Sequence, residues 1–450
     1  MPVSSPDLVG YIDNKYSDGQ VRFIIRFNGI LDEKRLGKAV RLAFDAEPVT
    51  GCRLIERPLR LYWQRCTDLE SAFEFHIVDH SDHNKGIYEY LLAPLDPFKG
   101  PQVKVGLFRS GFDTLYIKMS HIVADGGASI EYIQLLSSIY RNLEKEPEYR
   151  PASNLKGSRS SFQVLRHVGL KKILASCTGI SISRSSWEFP DTDNGNIRPS
   201  FFIRRIGRGR LSHIKAYAKN HCVTMGDILL TAYYRALFEV LDPPENIPIP
   251  LMVPVNLRRY IPGGRSEAIC SLTAGYFPEI IRNKTESFEE TLARVHTVME
   301  SNKSIQEELG QLLLMELAFA PGHIIPRILE PFLSSVFATP SFSNFGVVEP
   351  MIADFGGIKI QDMIPAGPMT YPPHFVLGSH TFNDELTLTS IVCGTEAYRT
   401  LVECFFDILV RELPGYSLDE VDIVQEEVVA NKPGHDTIEV YIREKYISDA

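Results

Sequence analysis

The sequence predicts an α/β protein built as two comparable halves, and three observations carry this. Segments with period-two apolar alternation interleave along the chain with segments of helical periodicity. A stretch rich in Ser, Asp, Asn, Gly and Pro interrupts the pattern near the middle, at residues 186–200. A chain of 450 residues with 44% apolar side chains also has enough core-forming material for more than one domain. The expected organisation is an N-terminal half over residues 1–185, a linker over 186–200, a C-terminal half over 201–413 and an acidic extension over 414–450.

Within residues 21–28, Val21, Phe23, Ile25 and Phe27 fall on one face and Arg22 and Arg26 on the other. That predicts a strand with one buried face. Leu36, Ala39, Val40 and Ala43 recur at helical spacing and predict a helix over 32–44. A second strand is expected over 113–120, where Leu115, Ile117 and Met119 share a face. Gly126-Gly127 breaks the pattern, and a helix over 129–143 follows.

In the second half a strand is expected over 201–206 and a short helix over 211–220. The capping pattern Thr224-x-x-Asp227 opens a helix reaching about residue 241. An apolar strand over 250–255 and a long helix over 285–308 come next. Strands are predicted over 341–344, 358–362, 374–382 and 385–393, with Asn383-Asp384 turning the last two into a hairpin. A helix over 395–413 closes this half.

The formal net charge of −9 argues against nonspecific nucleic-acid binding, which needs a basic footprint. Residues 1–10 have no basic segment followed by an apolar run, so no secretory signal is expected. No stretch of 18 apolar residues predicts a membrane span. The nearest, residues 309–337, is interrupted by Glu316, Arg327 and Glu330 and by Pro321, Pro326 and Pro331, and reads as buried or tunnel-lining helices. Seven cysteines, odd in number and without a C-x-x-C pair, fit reduced thiols in a cytoplasmic protein.

The chemistry concentrates in Ser120-His121-Ile122-Val123-Ala124-Asp125-Gly126, between a strand end and a helix start. Acyl transfer from a thioester needs a base for the acceptor's proton, stabilisation of a tetrahedral oxyanion, and a site shielded from water. A histidine can take the proton and return it to the leaving thiolate. An aspartate on a tight loop can fold back and fix that loop through a cation. Gly126 and Gly127 would let the chain turn sharply and approach a ligand closely.

This segment resembles the HxxxDG motif of the CoA- and carrier-dependent acyltransferase superfamily. That group includes peptide-synthetase condensation domains, chloramphenicol acetyltransferase, alcohol acetyltransferases and plant BAHD enzymes. Four more segments resemble the group in order: Gly29-Ile30-Leu31-Asp32, Pro254-Val255-Asn256-Leu257-Arg258, Gly275-Tyr276-Phe277-Pro278 at an expected crossover, and Ser343-Asn344-Phe345-Gly346.

The resemblance, over about residues 1–413, implies two chloramphenicol-acetyltransferase-like halves forming a V with a central tunnel. It implies His121 as general base and Asp125 as a structural residue paired with Arg258. Gly126 or Gly127 would face the reacting group, and Gly127, Ser343, Asn344 and Arg258 would border the substrate. The donor would be a coenzyme A thioester or an acyl-carrier protein, and the acceptor a small alcohol or amine. No metal and no tightly bound cofactor are expected. A monomer is expected because one chain supplies both halves. Ser120 stands where condensation domains usually carry a first histidine, which weakens a peptide-bond reading more than an ester or amide transferase reading. Asp354-Phe355-Gly356-Gly357 matches the BAHD DFGWG motif only in part. The competing class is a noncatalytic scaffold that keeps the tunnel to bind CoA or partner proteins.

Two further groups admit two uses each. His76, His80 and His83 have spacing open to metal binding, or are strand-end and loop residues. Arg204, Arg205, Arg208 and Arg210 suit CoA phosphates, or a solvated strand face. No G-x-S-x-G or P-loop string marks a hydrolase or nucleotide site.

Overall fold

The computed structural model describes residues 1–78, 83–177, 189–190, 195–322, 328, 339–415, 423–430 and 440–446. Two mixed sheets organise it. The first has five strands in the order Ile360–Ala366, Gln20–Phe27, Phe112–Ser120, Val103–Ser110 and Phe73–Ile77, with only the last pair parallel. The helices Glu33–Ala46 and Gly126–Lys145 pack on it through a core that includes Phe23, Leu36, Leu115 and Tyr132. Asp32 caps the first of these helices by accepting from the Arg35 amide at 2.9 Å.

The second sheet runs Ser341–Val347, Val376–Phe382, Glu385–Gly394, Arg198–Ile206, Ile423–Ala430 and Val440–Tyr446. In that order the first pair is parallel and the others antiparallel, and a seventh short strand, Met369–Thr370, pairs parallel with Glu385–Gly394. The helices Met225–Leu241 and Glu396–Glu412 pack on it around Phe202, Tyr233, Leu388 and Phe405. The expected capping box is present: Asp227 N donates to Thr224 Oγ1 at 3.1 Å, and Thr224 N to Asp227 Oδ2 at 2.9 Å. Asn383 and Asp384 take φ of 50° and 60°, the left-handed pair that a tight two-residue hairpin needs. The C-terminal extension, which the sequence left without a role, supplies the last two strands of this sheet.

Several expectations need correction. Gln20–Phe27 is buried on both faces, not one. A third apolar cluster joins Ile24, Phe108 and Tyr116 of the first half to Phe201, Ile203 and Ile391 of the second, so the arginine-bearing face is the seam between halves. Arg22 is 0% exposed there; its Nε donates to the Leu91 carbonyl at 2.8 Å and its guanidinium pairs with Asp18. The strand expected over 358–362 extends to Ala366 and pairs with Gln20–Phe27, opposing Pro365 to Phe23 and Met363 to Ile25. The crossover strand is thus Ile360–Ala366, not residues 275–278, of which Gly275 and Tyr276 end a short ribbon of Thr273–Tyr276 on Val253–Asn256.

The helix expected over 285–308 divides into Phe288–Ile305 and Glu307–Phe319 at Gln306, whose φ is 55°. The strand expected over 250–255 divides into Pro248–Pro250 and Val253–Asn256, because Leu251 and Met252 instead donate to the carbonyls of Pro278 and Pro340. Of the apolar stretch 309–337, residues 323–327 and 329–337 lie outside the described residues, as do 186–188 and 191–194 of the linker. Among the described residues no helix is long and apolar enough to cross a membrane.

Candidate active site

The strand Phe112–Ser120 delivers the motif and the helix Gly126–Lys145 carries it away. Ile122, Val123 and Ala124 are fully buried and anchor the loop in the first core. The His121 amide donates to the Gly19 carbonyl at 2.7 Å, and the Val123 and Ala124 amides to the Ser120 carbonyl at 3.0 and 3.2 Å. These contacts fix the backbone on either side of the imidazole.

Asp125 is the N-cap of the helix. Its Oδ1 accepts from the Ala128 amide at 2.7 Å, satisfying one of the helix's orphan donors. Its Oδ2 accepts from Arg258 Nη1 at 3.0 Å, the Leu272 amide at 2.7 Å and Thr273 Oγ1 at 2.8 Å. All three come from the second half of the chain. Arg258 in turn donates to Glu131 Oε1 at 3.1 Å and to the Cys270 carbonyl at 2.9 Å. Asp125 and Arg258 are each 3% exposed. Burial pushes the Asp125 carboxyl up, but the Arg258 charge and hydrogen bond, with the Ala128 and Leu272 amides, outweigh it and hold the group below its ordinary value. For Arg258 burial works against the charge, and Asp125 and Glu131 raise its pKa above the ordinary one. The expected pairing of Asp125 with Arg258 is therefore present. Arg258 stands behind the cavity wall, with its donors committed to protein, rather than bordering a substrate.

The glycines act differently from the expectation. Neither Gly126 nor Gly127 has a positive φ; both begin the helix. What they provide is room. A Cβ on Gly126 would lie 2.4 Å from Phe345 Cε1, and one on Gly127 would lie 2.7 Å from Arg258 Nη1. The close approach is thus of two second-half side chains to the start of this helix.

A cavity of about 580 Å³ lies between these elements and is lined mainly by apolar atoms. His121, Gly126, Gly127, Ser343 and Asn344 all border it, so the structure brings together every sequence-predicted site residue except Arg258. Among the described residues the His121 imidazole has no hydrogen-bond partner in the protein. Asn344 serves both of its anticipated uses: it borders the cavity, and its Oδ1 accepts from the Gly346 amide at 2.8 Å, capping a turn. Gln311, Leu312 and Met315 on the helix Glu307–Phe319 also line the cavity, so part of the stretch 309–337 is wall rather than core.

The other candidates lie elsewhere. Arg204 is 1% exposed and pairs with Asp407 at 3.2 Å. Arg205 is held by Asp362 at 2.8 Å and Glu385 at 2.6 Å, and Arg210 is buried against the Leu413 carbonyl at 2.8 Å. These three arginines tie strands and helices together and are not a solvated face, whereas Arg208 is exposed and donates to the Asn383 carbonyl at 3.1 Å. Asp354 caps the Gly357 amide at 2.9 Å and pairs with Arg141 at 3.0 Å, while Phe355 packs on Phe27, away from the cavity. His76 stacks on Phe108 with ring centroids 4.6 Å apart, and its Nε2 lies 3.3 Å from Glu74. His80 and the side chain of His83 lie outside the described residues. Among those described, no group of His, Cys, Asp or Glu is arranged to hold a metal.

Sequence reasoning missed Asp13 and His374, which also line the cavity. Asp13 ends the helix Ser5–Asp13, and His374 follows Pro372-Pro373. Neither sits in a motif, and only the fold brings them together.

No family profile matches the chain, and no curated protein matches it. Solved structures do. The first condensation domain of the calcium-dependent antibiotic synthetase aligns over 94% of this chain and 98% of its own, with a TM-score of 0.65 and 15% identity. Polyketide synthase associated protein 5 from Mycobacterium tuberculosis aligns over 93% and 100%, at 0.61 and 13% identity. A trichothecene 15-O-acetyltransferase from Fusarium sporotrichioides aligns over 92% and 95%, at 0.64 and 11% identity. The chain therefore has the α/β fold of condensation domains and related acyltransferases, as the motif resemblance implied.

Proposed function

We propose that the protein is an acyltransferase that moves an acyl group from a thioester, carried on CoA or a carrier protein, to an alcohol or amine. The observation that carries this reading is the His121 imidazole, without a partner among the described residues in a largely apolar cavity, while its own loop is fixed on both sides. No hydroxyl or thiol of the described residues hydrogen-bonds to it, so it has no protein nucleophile to activate. Direct attack follows. His121 takes the proton of the acceptor as its oxygen or nitrogen bonds to the thioester carbonyl carbon. The tetrahedral intermediate collapses with cleavage of the C–S bond, and His121 returns the proton to the thiolate. Gly126 and Gly127 border the cavity at the first turn of a 20-residue helix. Amides there lack intrahelical acceptors and carry the positive end of the helix dipole, which suits a developing oxyanion.

The test is thiol release from acyl-CoAs of graded chain length, with pooled alcohols and amines. Release that requires an acceptor supports the reading. A well-folded protein that releases no thiol from any acyl-CoA or acyl-carrier donor would contradict it.

A further inference from the structure

The cavity holds a charge that the motif does not use. Asp13 lies on its wall, at the end of a helix seated directly on the His121 loop. A Cβ on Gly10 would come within 2.7 Å of the His121 carbonyl oxygen. Asp13 is three residues further on, about 4.5 Å along the helix axis from that contact. Its Oδ2 accepts from Ser17 Oγ at 3.3 Å, and its other oxygen has no partner among the described residues. The second carboxylate on the wall, Asp125, has both oxygens occupied. No lysine or arginine among the described residues lines the cavity.

His374 faces the same space and is 5% exposed. Burial holds its imidazole below the ordinary pKa, although the Asp13 charge and a hydrogen bond to the Tyr16 backbone act in the other direction. The ring is therefore neutral at neutral pH and does not balance Asp13. With the Tyr16 carbonyl as acceptor for one ring nitrogen, Nδ1 is left without a partner among the described residues, and it is buried rather than open to the cavity. The wall thus presents one carboxylate with no lysine or arginine beside it among the described residues, in largely apolar surroundings.

We propose that Asp13 is the residue that selects the acceptor, and that it selects a molecule carrying a protonated amine. This deepens, and rests on, the acyltransferase reading above. A carboxylate without a counter-cation favours a cationic ligand over its neutral isostere and disfavours an anionic one.

Calorimetric titration at neutral pH with 2-phenylethylamine and with 2-phenylethanol tests this, on the wild type and on Asp13→Asn. The wild type should bind the amine at least about tenfold more tightly than the alcohol. In Asp13→Asn that preference should vanish while binding of the alcohol stays within about twofold. Equal wild-type affinities, which need no variant to establish, would overturn the proposal, as would an amine preference that survives in Asp13→Asn. Thiol release measured in parallel separates the two readings. Amine-selective binding without release from any donor to any of the pooled alcohols and amines leaves Asp13 as a cation-binding residue and removes the acyltransferase. Acceptor-dependent release together with equal binding of the amine and the alcohol does the reverse.

Discussion

His121 and Asp125 lie four residues apart on one loop, yet their surroundings are opposite. Every oxygen of Asp125 is occupied, by a helix amide on one side and by Arg258, Leu272 and Thr273 on the other. His121 has a fixed backbone and a side chain with no partner among the described residues, facing a cavity. One end of the motif joins the two halves of the chain, and the other is left free to meet a ligand. The histidine should therefore govern rate with little effect on stability, and the aspartate should govern stability first and rate only through it.

The strongest way to break this contrast is Asp125→Ala. The change leaves Arg258 buried with only Glu131 as a charged partner, and should cost about 3 kcal/mol of unfolding free energy. Urea unfolding would check it, and a loss below about 0.5 kcal/mol would show that the network does not hold the halves together. A smaller effect is expected from Gly126→Ala, where the added methyl meets the Phe345 ring. Overpacking of this kind costs about 1–3 kcal/mol, and Phe345→Ala in the same chain should recover part of it.

The mildest probe is pH. The folded pKa of Asp125 lies below the unfolded value of 3.8, so the folded state keeps its carboxylate where the unfolded state takes up a proton. Its stabilisation is fully present above that value and is lost as pH falls through the folded pKa. The wild type should thus lose stability below about pH 4 more steeply than Asp125→Ala, by at most about 1.4 kcal/mol per pH unit. Parallel acid titrations of the two proteins would show parallel curves if Asp125 were not held as the paired anion.

Much of this was legible in the sequence. The motif on its strand-to-helix junction was visible because a period of two gives way to a helical period across two glycines. The pairing of Asp125 with Arg258 followed from the resemblance. Less was visible where meaning depends on what packs from elsewhere. Alternation in Gln20–Phe27 shows which side chains share a face, but not that the second half covers the face bearing Arg22. The crossing of Ile360–Ala366 into the first sheet depends on pairing across more than 300 residues, which no local pattern encodes. Arg204 and Arg205 looked like a charged surface because their acidic partners lie about 160 to 200 positions away. Asp13 and His374 stayed hidden because they belong to no motif and become a site only where the ends of distant elements meet.

The most direct test of the contrast is to measure unfolding and thiol release on the same preparation of His121→Ala. The urea unfolding free energy should stay within about 0.5 kcal/mol of wild type, while acceptor-dependent thiol release should fall about 10²–10⁴-fold. Release at the wild-type rate, or a loss of release that only tracks a loss of stability, would contradict this contrast.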